Sequence, residues 1–383
     1  MEAPHPSASP SPVRGFWARR IERRLADAGI RLNGTEPDGI TVHDPSFFRK
    51  IALWGTLGFG ESYMDGGWDS PALERCLEKL LRYDLDESEG RLAEALRIFA
   101  GRLINRQSPR RAFVIGRRHY DRSPALFEAM LDSRLLYSCG YWKTAQTLEE
   151  AQEAKCDLIC RKLDLKPGLQ LLDIGCGFGG LARYAADRFG VNVHGITVSR
   201  DQYDYACRQT GSRSLRFDLM DYRELKGSYD RVVSVGMFEH VGAKNYRRFF
   251  QTVRQVLRPD GLFLLHSIGG NRSRTRTDPW IERYIFPNSL VPSAAQITRA
   301  SEALFVLEDW HNFGADYEKT LRAWHQRFES AWPALAPQHD ERFHRMWRLY
   351  LLASAVEFKL RKLQLWQLVL SPHGVPGGYR APR

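Results

Sequence analysis

Two side chains stand out because each breaks an apolar run where chemistry could use it. Val235-Gly236-Met237-Phe238-Glu239-His240-Val241-Gly242 puts Glu239 just past a hydrophobic stretch that begins at Tyr229. Leu264-Leu265-His266-Ser267-Ile268-Gly269-Gly270 puts His266 near the end of the next such stretch. Both stretches read as buried strands, so the carboxylate and the imidazole belong at the rim of a sheet. A lone histidine there is often only a satisfied core residue. A carboxylate and an imidazole at adjacent strand ends can instead move protons in a closed pocket. Upstream, Leu169–Ile174 is a further apolar run, broken by Asp173 and followed by Gly175-Cys176-Gly177-Phe178-Gly179-Gly180. Leu181, Ala182, Tyr184, Ala185 and Phe189 then recur at helical spacing. In such a strand, glycine turn and helix, Gly175 and Gly177 let a nucleotide-like ligand approach the backbone, and the helix end supplies free N–H groups.

The ends of two further strands add candidates. After Val191–Ile196 comes Thr197-Val198-Ser199-Arg200-Asp201-Gln202. A dinucleotide-binding fold places an acid on the ribose hydroxyls here. Thr197 stands in its place, which weighs against a dehydrogenase, although Thr197 and Gln202 can still hydrogen-bond a ribose. After Leu215–Leu219, Asp221 offers a carboxylate to an adenine amino group and Tyr222 a ring to its face; the plain alternative for Asp221 is a helix cap.

The elements that must hold these residues alternate. Strands are expected at 169–174, 191–196, 215–219, 229–236 and 262–268, with a turn at 258–261. Helices are expected at 148–163, after 180, at 202–210 and at 244–257. That order predicts an α/β fold, a doubly wound, Rossmann-like sheet whose ligands sit at the carboxyl ends of its strands. The chain after 270 reads as mostly helical, with a Trp- and Leu-rich stretch at 343–370. Ahead of this domain, residues 1–12 read as a disordered leader. Residues 15–28 read as a basic amphipathic helix with Phe16, Trp17, Ile21 and Leu25 on one side, either a membrane-surface element or an ordinary surface helix. Residues 30–70 look loop-rich, residues 71–106 helical, and 107–118 a basic linker within the arginine run from Arg97 to Arg122. The expected division is a smaller N-terminal domain at 13–106, the linker, and a catalytic domain at 119–383.

Composition narrows the classes of function. The chain has 383 residues, 43% hydrophobic and 26% charged, which suits a globular protein of two or three domains. A formal net charge of +11 points to phosphate-bearing partners, either nucleic acid or an anionic membrane surface. The 6 cysteines lack zinc-site spacing; Cys156 and Cys160 read as one packed helix face, and no metal is expected. Reduced thiols suit the cytoplasm. No apolar run approaches the roughly 20 residues that span a bilayer, so any membrane contact should be peripheral.

Leu171-Leu172-Asp173-Ile174-Gly175-Cys176-Gly177-Phe178-Gly179-Gly180 resembles motif I of the S-adenosylmethionine (SAM) methyltransferases. Together with Tyr137-Ser138-Cys139-Gly140-Tyr141, Thr197–Gln202, Phe238–Gly242 and Leu264–Gly270, it makes the chain similar to the cyclopropane-fatty-acyl-phospholipid synthases over about residues 15–383. The mycolic acid cyclopropane synthases are similar over the catalytic part. The resemblance implies methylene transfer from SAM to the cis double bond of a phospholipid acyl chain, with bound bicarbonate as base. It implies anion ligands at Cys139 (backbone amide), Glu239, His266, Ile268 (backbone) and Tyr317, and SAM ligands at Tyr137, Ser138, Gly175, Gly177, Thr197, Gln202, Asp221 and Tyr222. It further implies a homodimer at the cytoplasmic face of the membrane, with phospholipid and not nucleic acid as partner. The residues alone leave Cys139 open as a nucleophile and Tyr317 as a core tyrosine. Tyr137, Tyr141, Phe238 and Tyr317 offer ring faces to a carbocation. A related enzyme that stops at a methyl- or methylene-branched chain is the alternative.

Overall fold

The computed structural model describes residues 12–83, 124–211 and 214–383. The leader to residue 11, the later part of the helical stretch at 71–106, and the basic linker lie outside the described residues. The N-terminal part runs α1 (Pro12–Asp27), β1 (Thr41–Val42), α2 (Ser46–Trp54), α3 (Thr56–Met64), β2 (Trp68–Asp69) and α4 (Leu73–Tyr83). On α1, Ile21 and Leu25 are buried in the core, so this part of its apolar side faces protein.

Two helices within 46–64 replace the expected loops. The glycines there serve close approach rather than turning. A Cβ on Gly58 would run into the Lys50 carbonyl of α2, and one on Gly60 into the indole of Trp280. Only Gly55, between the helices, needs a positive φ, at 56°.

The second part carries α5 (Pro124–Met130), α6 (Leu148–Lys162), β3 (Gln170–Ile174), α7 (Gly180–Phe189), β4 (Asn192–Thr197), α8 (Arg200–Arg208), β5 (Leu215–Leu219), β6 (Tyr229–Val235), α9 (Tyr246–Val256), β7 (Leu257–Gly270), α10 (Pro279–Tyr284), α11 (Ala294–Ser301), β8 (Val306–Asn312), α12 (Ala315–Leu335), α13 (Glu341–Lys359) and β9 (Leu363–Ser371). The sheet order is β5-β4-β3-β6-β7-β9-β8. The first five strands are parallel, and β9 runs antiparallel to both β7 and β8. Helix starts are capped locally: Thr147 and Glu150 form a capping box on α6, and Ser199 caps α8.

Both faces of the sheet are covered. On β3, Leu171 enters a cluster with Cys156, Cys160 and Leu181, while Leu172 enters one with Phe249 and Phe263. Burial on both sides explains why the parallel strands read as unbroken apolar runs. It also explains why the Trp- and Leu-rich stretch 343–370, in a part of the chain expected to be mostly helical, is not all helix. The stretch splits at Arg361, whose φ is 59°, into α13 and β9. From Gln364 to Ser371 every residue of β9 is buried, so no period of two betrays the strand. β8 escaped for a different reason: Val306 and Leu307 are exposed at the sheet edge. The expected turn at 258–261 lies inside β7, whose pairing with β6 shifts register between Tyr229 and Arg231.

Candidate active site

The carboxyl ends of β3, β4, β5 and β6 open onto one cleft which, with the solvent at its mouth, holds about 1280 Å³. Tyr137, Ser138, Gly175, Gly177, Thr197, Gln202, Asp221 and Tyr222 all line it. The glycine turn needs its glycines: Gly175 has φ 83° and Gly177 φ 55°. A Cβ on Gly175 would lie 2.7 Å from that of Met237. Thr197 Oγ1 donates to Gln202 Oε1 at 2.9 Å, fixing both residues behind the first turn of α8.

Asp221 behaves as a cap. Its Oδ1 accepts from the Arg223 backbone at 2.9 Å, and its Oδ2 pairs with the Arg223 guanidinium at 2.8 Å. Tyr222 turns its ring edge-on to Phe249, and its hydroxyl is buried without a partner among the described residues. Three charged residues in this cleft have no role assigned from the sequence: Asp173, Lys155 and Arg223. The signal for Lys155 was present: it lies on the stripe Leu148, Ala151, Gln152, Lys155, Ile159 that α6 turns inward.

Beside the cleft lies a second, drier group. Glu239 sits in a short 3-10 turn after β6, and its Oε1 accepts the Ile268 N–H at 2.7 Å. The Ile268 amide, expected to face an anion, therefore serves Glu239. Glu239 Oε2 is buried with no partner among the described residues, and burial pushes the carboxyl up to about 7.

His266 is 1% exposed and stands opposite Gln367 in the β7–β9 ladder. The Gln367 side-chain amide lies 3.2 Å from His266 Nδ1, and His266 Nε2 has no partner among the described residues. Burial, helped by the Lys155 and Lys162 charges, holds this imidazole well below its ordinary pKa, hence neutral. Cys139, Tyr141, Phe313 and Tyr317 share one core cluster, with Ile268 packed against it. The Phe313 ring stands edge-on to His266, centroids 5.9 Å apart. The Gly236 N–H donates to the His266 carbonyl at 2.9 Å, so this group and the cleft share a wall.

One open reading closes and one expectation changes. Burial raises the Cys139 thiol well above its ordinary pKa, and its Sγ lies 3.1 Å from the Gly140 carbonyl, so it is a packed thiol and not a poised thiolate. Phe238 stacks on Tyr246 at 4.3 Å among Phe249 and Phe250, in the core under the other face of the sheet. It therefore offers no ring to the group around Tyr317.

Comparison with known proteins agrees with this geometry. The family model described as mycolic acid cyclopropane synthetase matches residues 107–368. Over 368 residues the chain is 49% identical to the cyclopropane-fatty-acyl-phospholipid synthase of Escherichia coli (strain K12), covering 96% of each. It is 34% identical to the tuberculostearic acid methyltransferase of Mycobacterium tuberculosis, covering 94% of this chain and 92% of that one. A crystal structure of a mycolic acid cyclopropane synthase complexed with SAH and CTAB matches with a TM-score of 0.63 at 32% identity, over 67% of this chain and 97% of that one.

Proposed function

Since the chain belongs to the mycolic acid cyclopropane synthetase family, we propose that it moves a one-carbon unit from SAM onto the cis double bond of a phospholipid acyl chain and closes a cyclopropane ring. The observation that carries this reading is the pair of buried heteroatoms without partners, Glu239 Oε2 and His266 Nε2, beside a glycine-turn cleft. Buried polar atoms are costly unless a ligand satisfies them. A small oxyanion would answer both atoms, so in this reading Glu239 and His266 hold bicarbonate, with the Cys139 backbone and Tyr317 completing the site. When bound, bicarbonate supplies the base for the proton that must leave before the ring closes.

The chain's own residues do the rest. With its carboxyl raised to about 7, Glu239 is largely protonated below neutrality and can donate to an oxyanion from Oε2. Neutral His266, with the Gln367 amide at Nδ1, can donate from Nε2. An alkene is a weak nucleophile, so Thr197, Gln202, Tyr137 and Ser138 must hold the donor in line with it. Aromatic faces at Tyr137, Tyr141 and Tyr317 can stabilise a carbocation without trapping it. The burial of Tyr141 and Tyr317 also keeps out water that would capture it.

The reading includes a peripheral position on the cytoplasmic side of the membrane, through residues 13–106, with linker 107–118, catalytic domain 119–383 and a homodimer. The net charge of +11 supports contact with an anionic lipid surface. So do Leu53 and Trp54, 61% and 51% exposed on α2 close to Arg49 and Lys50. No helix among the described residues is long and apolar enough to cross a membrane.

The test is turnover of labelled SAM on vesicles of cis-unsaturated phospholipid, with and without bicarbonate. Acyl chains should gain one CH2, and activity should fall when bicarbonate is removed. Unchanged lipid mass with intact SAM binding would reject the activity. The relative described as tuberculostearic acid methyltransferase supports the second reading, a branched chain; product fragmentation separates ring from branch. Gln367→Leu should cut turnover roughly tenfold, the cost of one buried hydrogen bond, with donor affinity unchanged by calorimetry.

A further inference from the structure

α6 buries a lysine that the mechanism above does not use. Lys155 is 1% exposed and lines the cleft. Its Nζ donates to Ser138 Oγ at 2.7 Å, and it has no ion pair among the described residues. An ammonium so buried is expensive when a single neutral hydroxyl answers it, and an apolar side chain of the same length would fill the space more cheaply. Two of its three donors remain for something that enters the cleft. Asp173, on β3, lines the same region, and its carboxylate makes no hydrogen bond among the described residues. Burial lowers the lysine's pKa and raises the aspartate's, so each charge is costly until an opposite one arrives.

The sheet order says which end of a ligand arrives there. Asp221 and Tyr222 follow β5, Thr197 follows β4, Gly175 follows β3 and Gly236 follows β6, and the strands lie in the order β5-β4-β3-β6. An adenosine read by Tyr222, Asp221 and Thr197 leaves the amino-acid end of the donor over β3 and β6. That end is a zwitterion, one carboxylate and one ammonium.

We infer that Lys155 receives the α-carboxylate of the donor's amino-acid end. The contact to Ser138 adds to this. Because Lys155 donates to Ser138 Oγ, the serine's own hydrogen is turned away from the lysine and serves as a second donor in the cleft. The inference rests on the SAM reading of the cleft.

The experiment is calorimetric binding of S-adenosylhomocysteine and of its decarboxylated analogue to the full-length wild type and to Lys155→Met. The wild type should prefer the carboxylate-bearing ligand by at least about tenfold. Lys155→Met should bind S-adenosylhomocysteine roughly 10–100-fold more weakly while binding the decarboxylated analogue about as well as the wild type does. Equal losses for both ligands would make Lys155 merely structural and overturn the inference. So would unchanged S-adenosylhomocysteine binding with a raised bicarbonate requirement, which would assign the charge to the anion beside His266. If Lys155→Met fails to fold, the wild-type preference alone decides: no discrimination between the two ligands overturns it. A wild type that binds neither ligand sinks the SAM reading itself.

Discussion

Replacing Glu239 by Gln should lower turnover by roughly two to four orders of magnitude while leaving donor affinity unchanged. The amide keeps what the fold needs, because its oxygen can still accept the Ile268 N–H that Oε1 now takes at 2.7 Å. It removes a proton that can shift: an amide nitrogen at the place of Oε2 still donates a hydrogen bond to the anion, but it cannot exchange a proton with it as a carboxyl raised to about 7 can. Initial rates on phospholipid vesicles, set beside calorimetric binding of S-adenosylhomocysteine, separate the two effects. Turnover near the wild-type rate would remove Glu239 from the proton path.

The same variant carries a stability signature. The Glu239 carboxyl is raised from 4.5 to about 7 in the folded protein. Between those values the folded state holds a proton that the unfolded state has lost, so rising pH costs the wild type stability across that window. Gln has no such dependence. The melting-temperature difference should therefore shift in favour of Glu239→Gln from about pH 4.5 to about pH 7 and then level off. Taking the difference between the two proteins cancels the opposite trend from His240, whose pKa burial lowers to about 4.

Gly177→Asp should abolish donor binding at working concentrations, a loss of at least roughly 100-fold, and yet fold. A Cβ at Gly177 meets nothing within 4 Å, so no neighbour has to move. The φ of 55° is left-handed, which costs a residue with a side chain about 1–2 kcal/mol, and aspartate tolerates that region better than most. A melting-temperature drop of a few degrees is expected. The cleft suffers far more, because the new carboxylate fills ligand space and brings a charge to a turn that must admit a nucleotide. Calorimetry that shows S-adenosylhomocysteine bound as before would mean that the glycine turn does not face the donor.

The parallel half of the sheet was legible because burial on two faces leaves an unmistakable mark: an apolar run ending in glycine or in one polar residue. β5 falls where the sequence puts it, at Leu215–Leu219. The same burial hid β9, since an apolar run just after a helix reads as more helix. The glycines around Gly58 misled for a related reason. Their small size serves a neighbour, Lys50 in one case and Trp280 in another, and only the folded chain names that neighbour. Among the candidate site residues, those that announce themselves by breaking a pattern are legible in the sequence: Glu239, His266 and the glycine turn. Gln367 could not be, because its meaning comes entirely from standing opposite His266 on an antiparallel strand. Asp221 had two open readings that the fold does not set against each other: it caps the turn after β5 and it also lines the cleft.

The N-terminal helices and the helices around the site draw on one core: Tyr63, Trp68 and Leu77 belong to the same cluster as Trp324, Trp347 and Tyr317. Arg345 reaches from α13 to the Tyr63 and Trp68 carbonyls, and Trp280 rests on Gly60. From Trp280 the chain runs on to Leu290, whose N–H donates to the Glu239 carbonyl at 2.7 Å. The front of this protein is thus a keystone and not an accessory. Severing it would strip Trp280 of its contacts at Gly60 and Met64, and would loosen the brace behind the proton-handling carboxylate in the same stroke.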